Sequence, residues 1–366
     1  MDFNKLIEGA VKIKASDIHL VEGGPPFLRV DGSVLPVSEP PVTHEDMEAL
    51  LKAVMPERLR KRLEEKGAAD FSYQYKDMAR CRLVAYYERQ KLRVTTRLIS
   101  MAIPTIEELG LSPVLKKFKE FRFGLVLVTG PTGSGKTNTL AALISDINAT
   151  HKHCIITIED PIEFCYSNNR CIISQREVGA DVSSFNDGLV QAMRQDPDVI
   201  LVGEMRDRET VQTAIKASET GHLVLSTLHT TTAIQTIERV IGVFPQQEHD
   251  LLRDQLAVNL RAIIAQRLVR RAEGKGRIAV QEILINDMTI AKLTRENRLS
   301  DIYEVMKGGE GGMQVFDKAL ADLVRSKTIT LEEGLVNARD EFAFKRFVKG
   351  VTSASDRGGI IGGFSG

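Results

Sequence analysis

The chain has 366 residues, 43% of them hydrophobic and 27% charged, which is enough material for the cores of two medium domains. Forty-nine basic residues balance forty-nine acidic ones, so the overall positive field that draws proteins to a phosphate backbone is missing and nucleic acid is not favoured as a partner. No apolar run reaches the roughly 18 residues of a membrane span. The start carries Asp2, Lys5 and Glu8 where a signal peptide would be apolar, so the reading is a cytoplasmic protein.

In chain order, that start reads as an amphipathic helix. Short β-type segments follow at 17–21 (DIHLV), 27–31 (FLRVD), 70–75 (DFSYQY) and 79–88 (ARCRLVAYYE), around one long helical stretch beginning near Thr43. Gly23-Gly24-Pro25-Pro26 and Asp31-Gly32 mark turns between the first strands, which suits a small antiparallel sheet packed on helices. Residues 1–104 therefore read as an α+β domain, and 105–114 as the linker after it.

Beyond the linker the pattern changes to uninterrupted apolar strands: LVLV (125–128), CIITI (154–158), VILV (199–202) and HLVLSTL (222–228). Such runs, alternating with helical stretches, belong to a parallel sheet buried on both faces, so 115–350 reads as an α/β domain. From about residue 235 the pattern turns mostly helical. The glycine- and serine-rich end, 351–366, reads as a flexible tail. Cys81, Cys154, Cys165 and Cys171 form no CxxC pair and read as reduced, ordinary thiols.

Gly130-Pro131-Thr132-Gly133-Ser134-Gly135-Lys136-Thr137 fits GxxxxGK[ST] at every fixed position. A strand enters it and the helix-compatible stretch NTLAALISDIN leaves it, the setting in which backbone amides and a helix N-terminus cradle phosphates. Lys136 then meets the β and γ phosphates of ATP, and the Thr137 hydroxyl ligates Mg²⁺. The run 199–202 ends in Gly203-Glu204, and a carboxylate at a strand tip adjacent to the loop serves to orient or deprotonate the attacking water. Glu204 is the expected catalytic residue, although Gly203 stands where an aspartate often holds the metal. A second apolar strand ends in Glu159, Asp160 and Glu163, three acidic residues within five positions. Charges that close need a cation, which assigns them to Mg²⁺ and water.

Those residues carry a family resemblance. GPTGSGKT, ITIEDPIEF (156–164), MRQDPDVILVGEMRD (193–207) and TGHLVLSTLHT (220–230) resemble the Walker A, Asp, Walker B and His boxes of the type II/IV secretion ATPase superfamily. SDIHL (16–20) and QREVGAD (175–181) make the chain similar to its type IV pilus retraction ATPases, the PilT/PilU type, over about residues 1–350. The resemblance implies a PAS-like N-terminal domain, a RecA-like ATPase domain, a homohexameric ring and an inner-membrane platform protein as partner, with the motor peripheral to the membrane.

By the same resemblance His229, with Thr227 and Thr230, senses the γ-phosphate or links nucleotide to the neighbouring domain. His222 and His229 stand seven residues apart on an extended segment and face opposite sides, so they do not share a metal. Arg80, Arg82 and Arg97, on strand faces of the first domain, are implied to approach nucleotide and make hydrolysis depend on domain closure. Retraction is implied over extension, because extension ATPases resemble longer chains with an extra N-terminal domain and a four-cysteine insertion. The family's retraction motif is altered at 289–296, keeping Ile290, Leu293, Arg295 and Glu296 to present a helical face. A RecA-like nucleic-acid motor, an extension or secretion ATPase of the same superfamily, and a nucleotide-gated assembly module stay open as alternatives.

Overall fold

A computed structural model describes residues 1–350 apart from Asp31, Asp77, Ser100 and Met101. The expected tail, 351–366, and the Asp31 half of the Asp31-Gly32 turn lie outside the described residues. Two compact units result: Met1–Ile103 with Pro161–Tyr166, and Pro104–Asp160 with the chain from Ser167 onward.

The first unit is α+β. Helix α1 (Phe3–Lys12) precedes β1 (Asp17–Val21), β2 (Phe27–Val30) and β3 (Ser33–Pro36); α2 (His44–Val54), α3 (Glu57–Lys66), β4 (Ala68–Tyr75), β5 (Ala79–Glu88) and β6 (Lys91–Ile99) complete it. Thr43 caps α2 in a capping box with Asp46. The single long helix expected from Thr43 is two helices, because Pro56, with ψ of 137°, breaks the run. All six strands pair antiparallel in the order β3-β2-β1-β6-β5-β4. The core gathers Ile7, Met47 and Leu51 from the helices with Ile18, Leu20, Leu83 and Val94 from the strands.

In the second unit a short 3₁₀ segment (Pro113–Glu120) leads into β7 (Gly124–Thr129), α4 (Lys136–Thr150), β8 (Cys154–Glu159), β9 (Ile172–Glu177), α5 (Phe185–Ala192) and β10 (Val199–Val202). Then come α6 (Arg208–Glu219), β11 (Leu223–Leu228), α7 (Ala233–Gly242), α8 (His249–Asn259), β12 (Leu260–Arg270) and β13 (Arg277–Ile285). Five helices close the described chain: α9 (Met288–Arg295), α10 (Leu299–Gly308), α11 (Phe316–Arg325), α12 (Leu331–Asn337) and α13 (Glu341–Val348).

The seven-stranded sheet runs β13-β12-β7-β11-β10-β8-β9, and only β13 is antiparallel to its neighbour. The mostly helical reading beyond residue 235 misses the long β12-β13 pair. Its strands are as apolar and as long as buried helices, and periodicity alone does not separate the two. Every residue of β7, β10 and β11 is buried, as a parallel sheet covered on both faces requires.

Candidate active site

Because β8, β10, β11 and β7 are parallel, their C-terminal ends open onto one edge, where ligands of open α/β sheets bind. The loop 130–135 leaves the interior strand β7 there. Its Gly130 has φ of +145°, and a Cβ on it would lie 2.3 Å from Gln266 O and 2.6 Å from Ser134 Oγ. No other residue fits. Helix α4 begins at Lys136 behind a left-handed Gly135, and no side chain caps it, so its first amides remain available to an anion. Lys136 Nζ donates to Gly130 O (2.9 Å) and Pro131 O (3.2 Å). Ser134 Oγ and Thr129 Oγ1 are buried and have no hydrogen-bond partner. An uncapped helix start, a lysine resting on loop carbonyls and two orphaned hydroxyls fit a nucleotide phosphate chain. Pro131, Thr132 and Gly133 form the exposed rim, and Thr137 is half-buried beside them.

Glu204 follows β10, and its carboxylate Oε2 stands 2.6 Å from Arg206 Nε and 3.5 Å from His229 Nε2. It does not sit on the strand next to β7, as expected: β11 lies between them and delivers His229 to the carboxylate. Gly203 also has a physical reason. A Cβ there would meet Phe185 Cε1 at 3.2 Å, Ile158 O at 3.3 Å and Glu159 Cα at 3.5 Å, so a larger residue fits only if Phe185 and the β8 backbone give by a few tenths of an ångström. Thr227, expected at the nucleotide, instead donates its hydroxyl to Gly203 O at 2.6 Å, while its carbonyl accepts from Met205 N at 3.2 Å. It holds the Glu204 turn. Thr230 Oγ1 bonds Thr236 Oγ1 at 2.7 Å, inside the start of α7. His222 lies at the opposite end of β11 and bonds Ala217 O and Thr220.

The three acidic residues differ in their surroundings. Glu159 is buried at the tip of β8, where its Oε1 accepts from Thr157 Oγ1 (2.6 Å) and Gln175 Nε2 (3.2 Å). Asp160 is exposed, and Glu163 is half-buried within Pro161–Tyr166, which groups with the first unit. Among the described residues no cluster of three or more His, Cys, Asp or Glu side chains is set to hold a metal by itself.

Within the first unit the arginines have local partners. Arg82, Arg97, Asp17 and Arg29 stand in register across β5, β6, β1 and β2. Arg97 Nε donates to Asp17 Oδ1 at 3.1 Å, Arg29 approaches Asp17 at 3.6 Å, and Arg82 pairs with Asp70 at 3.7 Å. Burial raises the Asp17 carboxyl, but hydrogen bonds from Ser16 and Arg97 outweigh it and hold the group below the usual range. Arg80 Nε donates to Ile162 O at 2.8 Å, and its Nη1 lies 3.4 Å from Cys165 Sγ. This contact explains why 161–166 groups with the first unit.

Sequence reasoning missed Arg206 and Gln266. The first stands two places after Glu204 and was legible as a nearby cation; the second is a lone polar residue in an apolar strand that was not foreseen. The altered motif 289–296 forms α9, but Ile290 and Leu293 are buried in the core. Of the four retained residues Arg295, paired with Asp254 at 2.9 Å, and Glu296 face outward, beside the exposed Thr289 and Lys292.

A model of the family described as "Type II/IV secretion system protein" matches residues 1–339. The chain is 44% identical to the "Type IV pilus retractation ATPase PilT" of Pseudomonas aeruginosa, covering 93% of this chain and 98% of the relative. It is 41% identical to the "Type IV pilus ATPase PilU" of the same organism, covering 92% and 89%. Among solved structures it superposes on "the Pilus Retraction Motor PilT and Bound ADP" with a TM-score of 0.89 at 42% identity, covering 94% of this chain and 99% of that one.

Proposed function

The chain belongs to the type II/IV secretion system protein family, and from that premise we propose that it is an ATP-hydrolysing motor that retracts type IV pili. The chain is an ATPase of the retraction type, as its relatives over nearly full length are named. The observation that carries the reading is the shared edge. A phosphate loop after β7, a histidine after β11 and a carboxylate after β10 open on one side of one sheet.

In this reading the amides at the start of α4 hold the phosphate chain, and Lys136 exchanges its loop carbonyls for the β and γ oxygens. Glu204 orients a water whose oxygen attacks the γ-phosphorus as the bond to the bridging oxygen breaks, and the carboxylate takes the proton. For Glu204 to do so its contact with Arg206 opens, while His229 stays within reach of it. Bound Mg²⁺ would neutralise charge across the β and γ phosphates; Thr137 and Glu159 are the residues that would hold it, directly or through water, with Glu163 as a further candidate. Arg82 and Arg97, and Arg80 once it releases Ile162 O, then act on nucleotide when the motor closes.

The active unit is a ring, in the family's manner a hexamer, working at the cytoplasmic face of the inner membrane against a platform protein. No helix among the described residues is long and apolar enough to cross a membrane. Light scattering alongside phosphate release tests the ring: specific activity rises with protein concentration if neighbouring copies complete the site, and a fully active monomer refutes it. Deleting the gene leaves cells with more pili and no twitching. Loss of all pili would mark an extension motor, and DNA-stimulated turnover a nucleic-acid motor.

A further inference from the structure

Beneath the phosphate loop, β12 places Gln266 with 3% of its surface exposed. Its Nε2 donates to Ser134 O at 2.8 Å, and its Oε1 accepts from Thr139 Oγ1 at 2.8 Å and from Gln281 Nε2 at 3.3 Å. Gln281, also 3% exposed, accepts from Ser112 N at 3.0 Å.

The direction of this chain follows from its ends. A backbone N–H only donates, so Ser112 turns the Gln281 oxygen toward itself and the Gln281 amino group toward Gln266. Gln266 must answer with its oxygen, which leaves its own amino group facing Ser134 O. A carbonyl only accepts, so the far end agrees with the near one. Swapping either amide would set donor against donor or acceptor against acceptor in a buried place, at the cost of an unsatisfied group.

We propose that Gln266 is a positioning residue for nucleotide binding: by drawing Ser134 O inward it aims the Gly135 N–H outward at the phosphates. The peptide between Ser134 and Gly135 is planar and trans, so its C=O and N–H point to opposite sides. Gly135 is also the N-cap of α4, so the same bond fixes the angle at which the helix amides meet the ligand. Gln281 and Thr139 hold the amide of Gln266 in that orientation. The inference rests on reading 130–137 as the nucleotide loop.

The test uses labelled ADP on the full-length protein with Lys136→Ala, Gln266→Met and the double variant Gln266→Met/Thr139→Val. Methionine keeps length and bulk while removing all three side-chain bonds of Gln266, and valine removes one of the groups left unpaired, the Thr139 hydroxyl. The double variant is expected to recover part of the melting temperature lost in Gln266→Met, with Gln281 Nε2 and Ser134 O still unpaired, yet to bind ADP about tenfold more weakly than the parent, since Ser134 O is still not held. If Gln266→Met does not fold, the double variant carries the test alone. Recovery of stability and affinity together would reduce Gln266 to a packing role and overturn the proposal. Parental affinity in Lys136→Ala would instead refute the nucleotide-loop reading itself, a different failure.

Discussion

The phosphate-loop edge of the second unit and the arginine-bearing sheet of the first are both rich in polar side chains, but they use them in opposite ways. Around the loop, α4 starts without a side-chain cap, and Thr129 Oγ1 and Ser134 Oγ are buried without partners. On the sheet, Arg97 and Arg29 meet Asp17, Arg82 meets Asp70, and Arg80 meets the carbonyl of Ile162. The loop keeps hydrogen-bonding capacity in reserve at two adjoining hydroxyls and an uncapped helix start, whereas the arginines of the sheet consume theirs on local partners, although His19 Nε2 and Thr96 Oγ1 of that sheet are also buried without partners. The contrast also ranks the arginines. Arg80 is committed to holding 161–166, while Arg82 has only a long contact with a half-exposed partner.

The largest effect expected is that of Lys136→Ala, which removes the one lysine of the loop and should lower turnover by about a hundredfold or more, together with nucleotide affinity. Phosphate release and equilibrium binding check it, and unchanged turnover would erase the contrast between the two regions. Glu204→Gln keeps size and hydrogen bonding but cannot take a proton. Turnover should fall by at least about a hundredfold with affinity retained, as single-turnover measurements would read; rapid release would move the role to Glu159, Asp160 or Glu163.

A stability effect comes next. Asp17→Asn leaves the Arg97 and Arg29 guanidinium groups without their carboxylate and should cost about 1–3 kcal/mol, measured by denaturant unfolding. The pH dependence follows from the depressed carboxyl. Its contribution is fully present above the unfolded value of about 3.9 and is lost as pH falls through the lower folded value. The acid-unfolding limb of the variant should therefore be flatter below about pH 4 than that of the parent. Arg82→Ala is the smallest change, about 0–1 kcal/mol in stability for an exposed pair. If turnover nevertheless drops about tenfold, Arg82 works on nucleotide outside its own unit, and the two regions belong to one catalytic arrangement.

Much of this was legible in the sequence. Local rules found β1, β5 and β10 to the residue, because strand ends fall where apolar alternation or a continuous run meets turn residues. The loop 130–137 announced itself because its chemistry is contiguous: glycines, lysine and threonine act at fixed spacing along a single turn. Glu204 was legible as a carboxylate ending an apolar run.

Other features needed the tertiary structure, since they join residues far apart in the chain. The β12-β13 pair was mistaken for helix because length and hydrophobicity are the same for both. That His229 faces Glu204, that Gly203 packs tightly against Phe185 and Ile158 O, and that Thr227 braces the Glu204 turn all follow from strand order. Spacing in sequence says nothing of which strands are neighbours. Gln266 makes the same point most sharply: one amide in an apolar strand, 132 residues from the Ser134 carbonyl it holds. The sequence by itself determined which groups are candidates for touching phosphate. Only the folding of β7 between β12 and β11 decided which others hold those groups in place, because orientation is set by hydrogen bonds between strands and not along them.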